Sequence, residues 1–262
     1  MSGQTIRAQQ KPTTPGNTYQ QMTSSERTAF VAERARRIAR QMAGTDYEFT
    51  PEFVAGIQKF VDRYAQRINN NGGDRLGQGD ARFVFERGKT VAPQLINAFK
   101  AHNVSPLIGL YIPAIESEYV NIETPNAMGS VGMFQFLPKT GQRFGLSAQE
   151  LTDIAKSADA AARYIELNLK RFKEDKMKEA LALLAYNRGE SAVERDLALI
   201  VNEGNKLCSI CALTAERERL DSTFQKENVY YVPRFFAAAI VGENPQAFGL
   251  SSQPLSSYET GR

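Results

Sequence analysis

The 262-residue sequence has no run of apolar residues long enough to span a membrane. It also has little excess charge of either sign, since the formal net charge is +3. A mild positive excess favours adhesion to an anionic polymer, but it gives no argument for nucleic-acid binding. With 42% hydrophobic and 23% charged residues, the composition is that of an ordinary globular protein with a buried core.

Metal-ligating side chains are scarce: the chain has two cysteines, Cys208 and Cys211, and one histidine, His102. Two thiols and one imidazole cannot form a structural zinc site with the usual four ligands. A redox dithiol of the thioredoxin kind would need a βαβ segment, which the sequence lacks. The C-S-I-C pair is either a disulfide that pins a loop, if the protein is exported, or a pair of inert thiols. The sequence thus predicts no metal and no cofactor.

The N-terminal stretch MSGQTIRAQQKPTTPGN contains no apolar segment, so no signal peptide is visible in this sequence. Residues 1–22 are polar, contain Pro12 and Pro15, and offer little surface to bury. We therefore expect a disordered lead or tether at 1–22.

Helix signals begin after this lead. Thr23 and Glu26 form a capping-box pattern, and apolar residues then recur at helical spacing as far as Gly44. Thr50 followed by Pro51 predicts the start of a second helix. Further helices are expected at 80–87, 90–102, 157–172, 176–186, 191–202 and 229–241, with a loop at 204–213.

Strand signals are nearly absent, so the predicted fold is all-α, with room for a small β-hairpin between Glu118 and Gly132. We expect a helical extension at 23–103, packed on a core at 104–250, and a polar tail at 251–262. The extension could serve as a substrate wall or as a scaffold, and the scaffold is the interpretation we favour.

One predicted helix carries a candidate catalytic acid. Ser105 and Pro106 read as an N-cap and a first helical residue, and the apolar run that follows ends at Glu116. The negative end of the helix dipole and the apolar neighbours should both raise the pKa of Glu116. A carboxyl of raised pKa suits general-acid chemistry near neutral pH. The alternative is a solvated glutamate at a helix end, which is the commoner situation.

The segment after Glu116 ends in GSVGMFQFLPKTG, from Gly129 to Gly141. This block resembles the signature G-x-x-G-[LIM]-x-Q-[FIL]-x-P-x-T-[GA] of the lytic transglycosylases of the goose-type lysozyme superfamily. Two further blocks follow in the order of that family: AYNRGE at Ala185–Glu190 and ENVYYVP at Glu227–Pro233. The frame YIPAIES at Tyr111–Ser117 is most similar to the membrane-bound lytic murein transglycosylase D subgroup.

The resemblance implies a lysozyme-like fold and cleavage of the β-1,4 bond between N-acetylmuramic acid and N-acetylglucosamine in peptidoglycan glycan strands. Glu116 would act first as general acid and then as base, so that the C6 hydroxyl of the muramic residue closes on C1 and leaves a 1,6-anhydro end. Substrate-binding residues by the same resemblance are Ser117, Gln135, Tyr186, Asn187 and Tyr231.

A single acid is consistent with the spacing of the carboxylates. On a continuing helix, Glu118 would point about 200° away from Glu116, whereas glycosidases that use two carboxylates keep both beside the bond. Glu123, in the loop, is the acid whose position the sequence leaves open. Met133 and Phe134 differ from the usual family residues and are expected to affect the shape of the groove, and Asn228 in place of threonine is interpreted as a peripheral change.

Other functions remain open from the sequence. A hydrolytic goose-type lysozyme would share the fold and the acid but admit water, and a catalytically silent peptidoglycan-binding scaffold would keep the cleft alone. A secreted antibacterial effector would use the same chemistry on another cell's wall. A peptidoglycan substrate places the protein in the periplasm or cell envelope, or outside the cell if it is secreted.

Overall fold

The computed structural model describes residues 17–202 and 204–259, so residues 1–16 of the expected lead lie outside the described residues. Helix accounts for 68% of the structure, which confirms the all-α class. The α-helices of the described residues are α1 (Ser24–Ala43), α2 (Pro51–Arg67), α3 (Ala81–Ala101), α4 (Pro106–Ser117), α5 (Pro138–Arg143), α6 (Ile154–Arg171), α7 (Lys178–Arg188), α8 (Glu190–Ile200), α9 (Ser209–Ala215), α10 (Ser222–Lys226) and α11 (Tyr231–Glu243).

The small β-hairpin that the sequence allowed between Glu118 and Gly132 does not form within the described residues. Between α4 and α5 the chain makes a single antiparallel bridge, from Val131 to Phe136. Gly132 follows the first bridge partner with φ +77°, and a Cβ there would meet the Leu151 carbonyl oxygen at 2.2 Å. The loop therefore turns too tightly, and packs too closely on the segment before α6, for the pairing to extend.

The N-terminal helices start as their capping residues predict. The Thr23 backbone N–H donates to the Glu26 carboxylate over 2.7 Å, and the Glu26 N–H donates back to the Thr23 hydroxyl over 3.3 Å. Thr50 Oγ1 accepts from the Phe53 N–H over 3.3 Å at the start of α2. Ser105 also precedes its helix, but its hydroxyl makes no capping hydrogen bond, so Pro106 is the stronger start signal there.

Helix α3 corrects the expectation of two short helices at 80–87 and 90–102. It runs unbroken through Gly88, which lies between the two expected helices. A Cβ on Gly88 would lie 2.8 Å from the Tyr119 ring and 3.0 Å from Leu255 Cδ1. Gly88 is thus a site of close packing against neighbouring segments and not a helix end.

The two cysteines form a disulfide, with Cα atoms 5.2 Å apart, and this settles the choice between a disulfide and free thiols. The expected loop at 204–213 instead contains the start of α9, which begins at Ser209 directly after Cys208. A spacing of three residues brings side chains together on one helical turn, so the disulfide and the helix are compatible.

Both expected terminal segments contribute to the core. In the lead, Tyr19 is fully buried and its hydroxyl donates to Asp62 on α2 over 2.8 Å. In the tail, Leu255 is buried within a single 3-10 turn, next to α3 and α4. Ordered packing therefore extends beyond the expected boundaries at residues 22 and 251.

Helix α4 is the central element of the fold. Of its residues, only Pro106 and Glu116 are not buried, and the helix packs against α1, α3, α6 and α11. The buried residues of α1–α3 belong to the same hydrophobic cluster as those of α4–α11. The division into an extension and a core stays a prediction, but the two share one interior. None of the described helices is both long and apolar enough to cross a membrane.

Gly109 of α4 tests how tightly this centre is packed. A Cβ at Gly109 would lie 2.3 Å from Phe99 Cδ2. We expect Gly109→Ala to lower the free energy of unfolding by about 1–3 kcal/mol, because the Phe99 ring would have to move within a filled core.

Gly56→Ala in α2 is the matched control. Its Cβ would meet nothing nearer than Pro233 Cγ at 3.8 Å, so stability should stay the same or rise by up to about 1 kcal/mol through helix propensity. Denaturant unfolding of both variants decides this, and equal stability of the two would contradict the packing argument.

Candidate active site

Glu116 lies at the C-terminal end of α4, where this largely buried helix reaches the surface. All residues from Leu107 to Ile115 are buried, as is Ser117, whereas Glu116 is half-buried. Its carboxyl group is thus backed by the apolar core, while part of the residue stays exposed.

Two residues of α11 lie next to this carboxyl group. The Tyr231 hydroxyl donates to Glu116 Oε1 over 2.7 Å, and Arg234 Nη2 donates to the Ile115 carbonyl oxygen over 2.5 Å. Burial raises the pKa of Glu116 to about 7, and the Tyr231 hydrogen bond and the Arg234 charge offset only part of this rise. Both the protonated and the ionised form of Glu116 are therefore accessible near neutral pH.

Beyond Ser117 the chain turns sharply through two residues with left-handed backbone, Glu118 at φ 49° and Tyr119 at φ 61°. This conformation is unfavourable for residues other than glycine, so surrounding contacts must hold it. Arg67 of α2 donates to the Glu118 carboxylate over 2.6 Å, and Arg87 of α3 donates to the Glu118 carbonyl oxygen over 2.8 Å. Helices α2 and α3 thereby fix the end of α4 on which Glu116 stands.

Two hydrogen bonds attach the following loop to α4 and α7. The buried Ser117 hydroxyl donates to the Met133 carbonyl oxygen over 2.8 Å, and the Tyr186 hydroxyl donates to the Phe134 carbonyl oxygen over 2.8 Å. Since successive Cα atoms are only about 3.8 Å apart, these bonds also position Gln135, the next residue. Ser117, Tyr186 and Gln135, far apart in sequence, therefore meet beside the end of α4.

The charge of Glu116 also acts on the hydroxyls of Tyr186 and Tyr231. Burial raises the pKa of both Tyr186 and Tyr231 well above the ordinary value, and in each case the charge of Glu116 raises it further. Both tyrosines thus stay protonated and act as hydrogen-bond donors next to the acid.

Gln135 has a strained backbone and a restrained side chain. Its φ is 50°, and its Nε2 donates back to the Gly132 carbonyl oxygen over 2.8 Å. Its Oε1 makes only a long contact, 3.5 Å from Asn126 Nδ2. The amide oxygen is therefore the part of Gln135 that is best placed to meet a ligand.

Met133 and Phe134 do not shape a groove as expected. Both side chains are buried, and the Phe134 ring stacks between those of Phe99 and Phe136. They contribute to the core and offer their carbonyl oxygens to Ser117 and Tyr186. Their departure from the usual family residues thus affects packing beneath the loop.

Asn228 is not peripheral, in contrast to the interpretation from sequence. It is buried, and its Nδ2 donates to Asn187 Oδ1 over 2.7 Å, while Arg188 Nη1 donates to Asn228 Oδ1 over 2.9 Å. Arg188 itself is held by the carboxylates of Asp196 and Asp221. This network sets the orientation of the exposed Asn187 side chain.

A groove of about 880 Å³ opens alongside these residues, between α2, α11 and the end of α4. Helix α2 forms one wall of it. The choice between a substrate wall and a scaffold for the expected extension stays a prediction. The lining residues are Lys59, Phe60, Arg63, Tyr64, Gln66, Arg67, Gly77, Ala114, Ile115, Glu118, Asn187, Lys226, Glu227, Tyr230, Tyr231 and Arg234.

Three other acidic residues lie close to Glu116 in the sequence or line the groove, and each could in principle serve as a second carboxylate. Glu118 is ion-paired with Arg67 and receives a further hydrogen bond from the Gly77 N–H over 3.1 Å. Glu227 is exposed and lines the groove. Glu123 lies at a separate cavity of about 460 Å³, on the side of the loop that faces the segment before α6.

Within the described residues, no group of three or more histidine, cysteine, aspartate or glutamate side chains is arranged to hold a metal ion. The site instead consists of one carboxyl group, tyrosine hydroxyls and amides. Sequence reasoning missed Arg234, although it follows Tyr231 by three residues and so shares its helix face. It also missed Arg67 and Arg87. Both bond to Glu118, which is too far away in the sequence for any local spacing to indicate the contact.

Residues 94–206 match the sequence model of the family described as Transglycosylase SLT domain. The matched segment contains Glu116, Ser117, Gln135, Tyr186 and Asn187, whereas Tyr231 and all of α2 lie outside it. No curated protein matches the chain. The family match supports a lytic transglycosylase of peptidoglycan in general, and the likeness to the D subgroup stays a prediction.

The raised pKa of Glu116 has a consequence for stability. Glu116 ionises more easily in the unfolded chain than in the folded protein. The contribution of protonated Glu116 to the stability of the fold is therefore complete below pH 4.5 and is lost as the pH rises through about 7. Glu116→Gln removes this ionisation. At pH 8 we expect the variant to be more stable than the unmodified protein by about 2–3 kcal/mol, and at pH 4 the two should unfold alike in denaturant.

Tyr231→Phe tests the hydrogen bond to the acid. That bond lowers the pKa of Glu116, so its removal should raise the pKa further. A rate that needs protonated Glu116 should then decline at a higher pH in the variant, although its maximum falls because the acid is less well oriented. If the rate declined at the same alkaline pH in both proteins, ionisation of Glu116 would not be the cause of that decline.

Proposed function

We propose that the protein is a peptidoglycan lytic transglycosylase that cleaves the β-1,4 bond between N-acetylmuramic acid and N-acetylglucosamine with formation of 1,6-anhydro ends. The observation that carries the proposal is the half-buried Glu116 carboxyl group, with a pKa of about 7 and a hydrogen bond from Tyr231. The family match over residues 94–206 supports the reaction class.

In the first step, protonated Glu116 gives its proton to the glycosidic oxygen. The bond between that oxygen and C1 of the muramic residue breaks, and N-acetylglucosamine leaves with a free 4-hydroxyl. The Tyr231 hydroxyl stabilises the carboxylate that forms on Glu116, because a hydrogen bond to a charged acceptor is stronger than one to a neutral acceptor.

In the second step, the Glu116 carboxylate takes the proton of the C6 hydroxyl while O6 forms a bond to C1. Glu116 returns to its protonated form, and no water is consumed. A pKa near 7 suits both steps, because the same group must be a usable acid and a usable base at one pH. A well-aligned internal hydroxyl can have an effective molarity of about 10⁵ M or more, which lets it outcompete water.

A one-acid reaction fits the arrangement of carboxylates. Glu118 is held by Arg67 and is engaged in keeping the end of α4 in place. Glu227 is the remaining carboxylate in the groove and the candidate for a water-activating base in a hydrolase. Substitution of Glu227 therefore separates a transglycosylase from a hydrolytic lysozyme that uses two carboxylates.

Ser117, Tyr186 and Gln135 would position the sugar through the loop that they anchor, and Asn187 would contact it from the end of α7. A substrate in the cell wall places the protein in the periplasm or cell envelope, or outside the cell if it is secreted. These roles and this location are part of the proposal.

Glu116→Gln should lower the rate of murein cleavage by about 100-fold or more, since it removes the only proposed acid. Glu227→Gln should keep the rate within about tenfold of the unmodified protein, because its carboxylate takes no part in proton transfer. Release of soluble fragments from murein measures both rates.

Mass spectrometry of the fragments identifies the product. The unmodified protein should release muramic ends that are lighter by one water than hydrolysed ends. Hydrolysed ends, together with an equal loss of rate in the two variants, would indicate a two-carboxylate hydrolase. Binding of murein without any cleavage would indicate a scaffold.

A further inference from the structure

The groove carries cations that no carboxylate of the described residues neutralises. Lys59 and Arg63 of α2 and Lys226 of α10 are exposed, line the groove, and form no ion pair with any residue in the described part of the chain. Lys59 and Arg63 are four residues apart and therefore share one face of α2. All three residues lie outside the segment that matches the family model.

Aromatic rings hold two of these cations in place without cancelling their charge. Lys59 Nζ lies 5.5 Å from the centre of the Tyr230 ring, and Arg63 Cζ lies 5.0 Å from that of Phe60. Cation–π contacts of this kind are worth about 0.5–1 kcal/mol at exposed sites. The side chains are thus restrained along the wall while their charges stay available.

The other cations of the groove have structural partners. Arg67 is ion-paired with Glu118, and Arg234 donates to the Ile115 carbonyl oxygen. Among the lining residues, five side chains are cationic and two, Glu118 and Glu227, are acidic. A groove with an excess of three positive charges attracts anionic ligands and repels cationic ones.

Resting on the proposed function, we propose that Lys59, Arg63 and Lys226 bind carboxylate groups of the murein substrate and so select which strands are cleaved. The sugar rings themselves offer hydroxyl and amide groups, which do not require cations. Carboxylates occur in murein at two places: on the stem peptides, and on the lactyl group of a muramic residue whose peptide has been removed. Helix α2 would then determine specificity as well as support the site.

The test uses a double variant that carries both Lys59→Ala and Arg63→Ala, and Arg36→Ala serves as the control. Arg36 is an exposed arginine of α1 that does not line the groove. On peptide-bearing murein, we expect the double variant to raise KM by about tenfold with little change in kcat, since two charged contacts of roughly 0.7 kcal/mol each are lost. Added salt should weaken binding of the unmodified protein more than binding of the double variant.

Three substrates identify the carboxylate. The first is peptide-bearing murein, the second is murein stripped of its peptides by an amidase, and the third is peptide-bearing murein whose carboxyl groups have been converted to amides. Binding is measured in parallel by cosedimentation of each variant combined with Glu116→Gln, so that the readout does not depend on turnover.

An effect of the double variant on the first substrate alone supports recognition of the stem peptide. An effect that persists on stripped murein but disappears after amidation supports recognition of the lactyl carboxylate as well. An equal effect on all three substrates, or no effect on any, overturns the inference while the proposed function stands. If the unmodified protein cleaves no murein, the proposed function itself has failed.

Discussion

The geometry of the candidate active site depends on the burial of helix α4. Its apolar residues make it the centre of the fold, so its C-terminal end brings a carboxyl group to the boundary between the core and a groove. Desolvation at that boundary is the largest influence on Glu116 and raises its pKa to about 7. The same packing that stabilises the protein therefore sets the protonation of the proposed acid, and the ionised acid costs stability in return.

The surroundings of Glu116 hold it in one geometry. The left-handed turn at Glu118 and Tyr119 ends α4 abruptly, and Arg67 and Arg87 keep that turn in place. Ser117 and Tyr186 fix the loop through its carbonyl oxygens. Groups that are already oriented before substrate binds need no reorganisation during the reaction, which is where much of catalytic power resides.

Helix α2 links the catalytic region to the rest of the chain in two ways. Through Arg67 it supports the end of α4, and through Lys59 and Arg63 it lines the groove with charge. The family match does not include this helix. A helix outside the matched segment thus contributes both to the geometry of the site and to the electrostatic character of its groove.

The sequence by itself determined the all-helical class, the capped starts of α1 and α2, the apolar helix that ends at Glu116, and the ordered blocks that resemble one family. These features follow from local capping chemistry and from periodicity, which act over a few residues. It placed two helices where α3 is continuous. The close packing of Gly88 against Tyr119 within α3 is a contact that local spacing does not record. Only the tertiary structure decided that Asn228 orients Asn187, that Arg67 neutralises Glu118, and that α2 is a groove wall. Such pairings join residues tens of positions apart, and no local pattern records which distant side chains meet once the core has closed.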